Sequence, residues 1–427
     1  MEISWLLVSL LLCAFGFLKE IRPSEPFIYE FLIGPWRNVT EEQITQQVYP
    51  AGTYSYLALL VVVFLITDLA RYKPLIVFSG LCGIVGWSLL LWTTSLRDLL
   101  ILEVFYGSFM ACEVAYYTYI YAKVDKRYYQ QVTSHTRAAI LGGRTISGIL
   151  GQLLISLNVM DFRQLNYITL GALSVATFWS LFLPPVKKSI YFHQETSLPL
   201  SKTKKTKQAF NTMIQHLKRG YSNAHTVKWS IWWSLATCGF VQVQTYIQTL
   251  WSAIVGDQDY TQYNGAVEAV LTLTGFLGAL IVGFLRVNWS TWGEVVLTCC
   301  SLIQGTLMMV SAQTDYIVVS YVCYVVFGAS FHFMITIASS EIATFIEEDS
   351  YGLIFGINTF AALSFQTILM VVVVTGDIGF GLQPRGQFLV YGGYHLVLGL
   401  IFLIIAVYNR ISSAREQVIE SKAFDAS

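Results

Sequence analysis

The chain has 427 residues, 55% hydrophobic and only 12% charged, with 26 basic side chains balancing 26 acidic ones and a mean hydropathy of +0.57. That is too apolar for a water-soluble globular protein; at roughly 20 residues per crossing the length holds about a dozen membrane spans and no sizeable soluble domain. No basic block interleaved with aromatics recommends nucleic acid as a partner, and no Cys/His spacing implies a metal or another cofactor.

Apolar runs between charged or turn-rich breaks predict twelve spanning helices, at about 3–30, 53–69, 74–94, 99–122, 132–159, 165–184, 229–251, 265–286, 293–312, 316–345, 352–375 and 386–408. The spans must be helical because lipid cannot satisfy free backbone groups. The first run lacks a basic flank and a small-residue cleavage site, so it reads as a retained span and not a signal peptide. It is interrupted by Arg22-Pro-Ser-Glu-Pro, and unwound backbone at mid-depth is tolerated chiefly where it lines a cavity; a simple kink is the alternative. All seven cysteines fall inside apolar runs and are expected to be free thiols.

The longest hydrophilic stretch, 185–228, carries Lys187, Lys188, Lys202, Lys204, Lys205, Lys207, Lys218, Arg219 and Lys228 against the single acid Glu195. The positive-inside rule makes it cytosolic, and Arg71, Lys73, Lys123, Arg127, Arg286 and Arg410 then fall on the same face. The layout is an N-terminal six-helix half (1–184), a basic cytosolic linker (185–228), a C-terminal six-helix half (229–408) and a tail (409–427), with both termini cytosolic. The sequon at Asn38 lands outside, where glycosylation is expected; the one at Asn288 lands inside.

Ionisable groups in hydrocarbon are costly unless they are paired or face a wet cavity. Glu25, Glu103, Glu113 and Glu268 fall within spans, as do Arg22, Arg137 and Arg144. In the fourth span Glu103, Tyr106, Met110, Glu113 and Tyr117 follow steps of three and four, which predicts one stripe of carboxylates and phenols suited to a cation or an amino-bearing ring. Alternatively the glutamates pair with Arg137 or Arg144 to hold helices together. His332 and His395 read as packing residues, and Gly142, Gly143, Gly148 and Gly151 as a close helix contact. The turn Thr67 to Lys73, with Asp68 and Arg71, is either a gating ion pair or a topological anchor.

The strings Arg22-Pro-Ser-Glu-Pro-Phe27, Tyr54-Ser-Tyr56, Asp68-Leu-Ala-Arg-Tyr-Lys-Pro74, Glu103-Val-Phe-Tyr-Gly107, Glu113-Val-Ala-Tyr-Tyr-Thr-Tyr-Ile-Tyr121, Tyr263-Asn-Gly-Ala-Val-Glu-Ala269 and Phe355-Gly-Ile-Asn-Thr-Phe360 resemble the reduced folate and thiamine carrier family of the major facilitator superfamily. The resemblance implies an alternating-access carrier in the plasma membrane for a small vitamin. Folate carriers of that family place cations where Glu113, Gly328 and Gln366 stand here, so the resemblance favours thiamine, a cation; reduced folate or phosphorylated thiamine is the alternative. It further implies a site lined by Glu25, Trp87, Glu103, Tyr106 and Glu268, with which Tyr49, Glu113 and Thr245 are counted, and makes Arg137 a structural or gating charge; Arg22, Asp68, Arg71 and Arg144 are read from their placement as charges of the same kind. Three positions depart from thiamine carriers: Gly52 stands for tryptophan, Thr245 for asparagine and Arg144 for an uncharged residue. Arg144 would repel a cation and suit a phosphate or carboxylate, unless Glu113 or Glu268 neutralises it. A membrane enzyme would need a nucleophile–base pair or a metal cluster, for which no spacing is present; a non-transporting receptor is a third possibility.

Overall fold

The computed structural model describes residues 4–186, 190–192, 202–256, 262–284, 287–376 and 378–425. Lys187, Lys188, Glu195 and Arg286 lie outside the described residues. The described chain contains helices and no strand.

The first apolar run forms α1 (Trp5–Lys19) and α2 (Ile28–Ile33), with a single 3-10 turn at Glu25–Phe27 between them. Pro23 and Pro26 supply no backbone N–H, so the α-helical ladder cannot run through this stretch. Its remaining polar groups find partners elsewhere: the Arg22 N–H donates to Ser147 Oγ at 2.8 Å, and the Glu25 carbonyl accepts from Gln248 Nε2 at 3.0 Å. The short α3 (Glu41–Gln43) is capped by Thr40. There follow α4 (Tyr49–Thr67), α5 (Lys73–Trp92), α6 (Leu96–Ala111), α7 (Glu113–Lys123), α8 (Tyr129–Ser156) and α9 (Phe162–Ser180).

Within the basic stretch lies α10 (Lys202–Gly220), a helix absent from the hydropathy reading because its mean composition is polar. Its order comes from one face: Ala209 is buried, and a Cβ on Gly220 would come 2.6 Å from Ile354. The chain continues through α11 (Ala224–Val255), α12 (Asn264–Phe284), α13 (Trp289–Gln313), α14 (Ile317–Phe345), α15 (Tyr351–Val373) and α16 (Pro384–Asp425). α11 starts before the predicted run and α16 continues past the predicted end at 408. Among the described residues nine helical stretches are long and apolar enough to cross a membrane, so the chain is a multi-pass membrane protein; α1 is apolar but shorter.

Buried apolar side chains gather in separate bodies. One draws only on residues between Trp229 and Phe402; two others draw on residues between Val8 and Val186, with Leu363 as the single crossing member. Between these bodies, α8 meets α12 where Gly148 and Gly265 face each other: a Cβ on Gly148 would fall 2.6 Å from the Gly265 carbonyl oxygen, and one on Gly265 would fall 2.8 Å from that of Gly148. Small residues let backbones approach this closely. Gly143 and Gly151 are likewise pressed against the Phe17 and Pro23 carbonyls, whereas Gly142 has open space. At the next crossing, Gly356 of α15 receives the Phe64 ring of α4.

Candidate functional site: a polar cavity between the helices

A cavity of about 320 Å³ opens between the segment from Glu20 to Ile28, α4–α6, α8, α11, α12 and α15, within the range of small-molecule sites. The proline-interrupted segment contributes Glu20, Arg22 and Glu25; α6 contributes Glu103, Tyr106 and Met110; α12 contributes Glu268. Tyr49, Trp87, Arg144 and Thr245 complete the set of predicted site residues that line it.

Two kinds of charge meet here. The first is a closed cluster around Glu20, whose side chain has no solvent exposure. Its carboxylate accepts from Arg22 at 2.6 Å and from Arg144 Nε at 2.7 Å, and Lys19 stands 3.6 Å from its other oxygen. Arg22 also pairs with Glu25, and Lys19 donates to Glu113 at 2.6 Å. Three cations and three carboxylates thereby balance. The second kind is uncommitted: Glu103 and Glu268 line the cavity with no ion pair among the described residues, Glu268 accepting only the Tyr324 hydroxyl at 2.9 Å. Unpaired carboxylates on a desolvated wall leave a demand for positive charge or for N–H donors.

Aromatic rings share the cavity with Glu103. Tyr106 lies 6.1 Å from Trp87 in a tilted pair, Trp87 directs Nε1 toward Ser24 Oγ at 3.4 Å, and Tyr49 packs edge-on against Tyr246 at 5.6 Å. Gly52 makes room for the carboxylate, since a Cβ there would overlap Glu103 Oε2. Thr245 spends its hydroxyl on its own helix, donating to the Val241 carbonyl at 2.8 Å.

Several sequence expectations are revised. The stripe from Glu103 to Tyr117 is broken: the helix ends at Ala111 and restarts at Glu113, so Glu103, Tyr106 and Met110 line the cavity while Glu113 turns to Lys19. Neither Glu113 nor Glu268 holds Arg144; Glu20 does, and neither glutamate of the fourth span pairs with Arg137 or Arg144. Lys19 and Glu20 were passed over because charges at the end of an apolar run read as its boundary. Gln248 and Tyr56, which also line the cavity, carry no periodic signal. Gln366 lines the cavity; Gly328 is instead packed against Leu271.

Asp68, Arg71 and Arg137 lie away from the cavity. Asp68 accepts the Tyr72 hydroxyl at 2.5 Å and the backbone N–H groups of Ile190, Tyr191 and Phe192 at 2.9, 3.0 and 2.8 Å, which ties the α4–α5 turn to the basic stretch. Arg71 is exposed in that turn with a φ of 60°. Arg137 is exposed on α8, within electrostatic reach of Tyr117 and Tyr121. His395 is fully buried against the Phe327 and Tyr394 rings, and His332 packs against Phe240. Asn38 is exposed.

A helical membrane protein with a polar cavity among its helices has the architecture of a major facilitator transporter. Solved structures bear this out at the level of fold: the nucleoside transporter NupG superposes with a TM-score of 0.62 at 15% identity, covering 93% of this chain and 98% of that one, and the POT family transporter PepTSo with 0.69 at 11% identity, covering 96% and 99%. Within that class the chain belongs to the reduced folate carrier family, which it matches over residues 3–390. It is similar to human thiamine transporter 2 (38% identity, 98% of this chain and 94% of that protein), mouse thiamine transporter 1 (38%, 99% and 94%) and Folate transporter 1 of Caenorhabditis elegans (36%, 96% and 95%).

Proposed function

We propose that the chain is an alternating-access carrier that moves thiamine, or a closely related small vitamin, across the plasma membrane and performs no chemistry on it. Twelve spans form two halves, 1–184 and 229–408, joined by a basic cytosolic linker at 185–228 and followed by a tail at 409–427, with both termini in the cytosol. Substrate sits between the halves, and their rocking exposes it to one side and then the other.

The observation that carries this reading is the charge balance of the cavity. Because Lys19, Arg22 and Arg144 are matched by Glu20, Glu25 and Glu113, the surplus belongs to Glu103 and Glu268, which a cationic ring system can satisfy. Glu103 accepts from an amino-bearing ring, and Tyr49, Trp87 and Tyr106 offer faces for stacking and cation–π attraction. Relatives named as thiamine transporters support the same substrate.

Reduced folate or phosphorylated thiamine is the second reading, favoured by Arg144, whose side chain is one-third exposed at the cavity while Glu20 holds its Nε. Uptake of radiolabelled thiamine in cells expressing the chain, competed separately by unlabelled thiamine, thiamine monophosphate, folate and pyridoxine, decides between them. Saturable uptake blocked by thiamine and not by folate is expected; saturable folate uptake without thiamine uptake would overturn the first reading. Asn38 is the expected glycosylation site, read as a mobility shift on glycosidase treatment that Asn38→Gln abolishes.

A further inference from the structure

Two glutamines reach across between the halves in the same way. Gln248 of α11 lays its side-chain amide against the backbone of the broken first span: Nε2 donates to the Glu25 carbonyl at 3.0 Å, and Oε1 accepts from the Tyr29 N–H at 3.1 Å. Gln152 of α8 does this to the start of α12, where Nε2 donates to the Gln262 carbonyl at 2.9 Å and Oε1 accepts from the Ala266 N–H at 3.1 Å. In each case the carbonyl belongs to residue i and the N–H to residue i+4, the pairing of an α-helical hydrogen bond. A side chain of one half thus stands in for a backbone rung that the other half leaves open. Gln248 reaches from the C-terminal half into the N-terminal one, and Gln152 reaches the opposite way.

The backbone groups they meet are ones that need a partner. Tyr29 is the second residue of α2 and Ala266 the third of α12, so each N–H is a first-turn donor with no acceptor inside its own helix. The two contacts are also linked, because Glu30, next to Tyr29, hydrogen-bonds the Gln262 side chain. Gln152 is buried one turn beyond Gly148, and Ala266 follows Gly265, so the second contact continues the close approach of α8 to α12. Gln248 lines the cavity. On the topology proposed above, both contacts lie on the outer side of that cavity: α2 leads into the loop that carries Asn38, and Gln152 stands four residues before the end of α8 at Ser156.

We propose that Gln248 and Gln152 are positioning residues of the outer gate, whose amides hold the halves together on that side and let go when it opens. Release leaves each carbonyl and N–H free to bond each other, so the helix closes its own rung and no backbone group is stranded in the membrane. Glutamine suits the task because one amide offers both the donor and the acceptor that such a pair requires. The proposal rests on the alternating-access reading and is independent of which vitamin is carried.

The test uses the full-length chain with Met110→Cys as a reporter on the cavity wall. A membrane-impermeant methanethiosulfonate is applied from outside to intact cells and from the cytosolic side to inside-out vesicles, and modification at position 110 is followed by mass spectrometry, which separates it from the native cysteines. Gln248→Met keeps the length of the side chain and removes the amide. It is expected to raise the outside rate about tenfold and to lower the inside rate, since two neutral hydrogen bonds made only with the gate closed are lost. Gln152→Met should move both rates in the same directions, and it repeats the measurement at the other contact should Gln248→Met fail to fold. An unchanged outside rate overturns the proposal, and so does a rise from both sides alike, which is what a merely loosened protein would give. A reporter reached from one side only, in the chain with both glutamines intact and in both variants, would instead sink alternating access itself and the gate with it.

Discussion

The two sides of the central cavity answer the problem of polarity in a membrane differently. On the N-terminal side a proline-broken segment and α8 bring Lys19, Glu20, Arg22, Glu25 and Arg144 into mutual contact, and almost all of that charge is consumed internally. On the C-terminal side α11, α12 and α15 run unbroken and offer Gln244, Thr245, Gln248, Thr272 and Gln366, with Glu268 as the one carboxylate. The first wall stays polar by neutralising itself, which makes it rigid and expensive to disturb. The second stays polar with amides and hydroxyls, which cost less to bury and can adapt to a solute. Glu103 belongs by chain to the first side and by behaviour to neither, since it faces the cavity with no cation of its own.

The sharpest way to break this contrast is to remove the centre of the cluster. Glu20→Gln leaves Arg22 with Glu25 as its one carboxylate and Arg144, one-third exposed, beside a neutral amide, a loss of up to about 3 kcal/mol, the low end of the cost of breaking a buried pair. The variant is expected to express poorly and to melt well below the unaltered chain in detergent, measured by fluorescence-detected size exclusion after heating. A full yield and an unshifted melt would mean that the cluster does not hold α1 to α8.

Next in size is Glu103→Gln, which removes a charge that no protein cation needs. Uptake of labelled thiamine is expected to fall by at least about tenfold, the loss of one charge-assisted contact of about 1.5–3 kcal/mol, while surface expression and melting stay unchanged. The opposite pattern, with unaltered uptake and lost stability, would move Glu103 into the structural class. Gly52→Ala separates space from charge at the same place, because the added Cβ overlaps Glu103 Oε2 and must swing the carboxylate away. The KM for thiamine should rise by about tenfold, the equivalent of about 1.4 kcal/mol of lost binding, with surface expression retained.

How far this was legible in the sequence differs along the chain for physical reasons. Helices were readable because lipid permits little else, and the break at Pro23 and Pro26 because proline removes the donor that a helix needs. The wall of Glu103, Tyr106 and Met110 was readable because one uninterrupted helix keeps steps of three and four on one face. The projection failed at Cys112, where the helix restarts and Glu113 swings to Lys19: periodicity carries across a span only while the span is continuous. Glu20 was illegible because the charge on a residue at the end of an apolar run does not tell whether its side chain points to water or back into the bundle. The α10 helix had a signal, an amphipathic stripe within a polar average, which a scan for apolar runs passes over.

The smallest expected effect probes the adaptable wall. Thr245 stands on the cavity, but its hydroxyl donates to the Val241 carbonyl one turn earlier, so only its remaining lone pairs and its methyl group face a solute. Thr245→Val keeps the shape and removes an oxygen that is already engaged. The KM for thiamine should change by less than about threefold, under 1 kcal/mol, against the tenfold expected at Gly52. A change at Thr245 as large as that at Gly52 would mean that the hydroxyl leaves its helix to meet the substrate, and that the C-terminal wall recognises the solute through specific bonds instead of accommodating it.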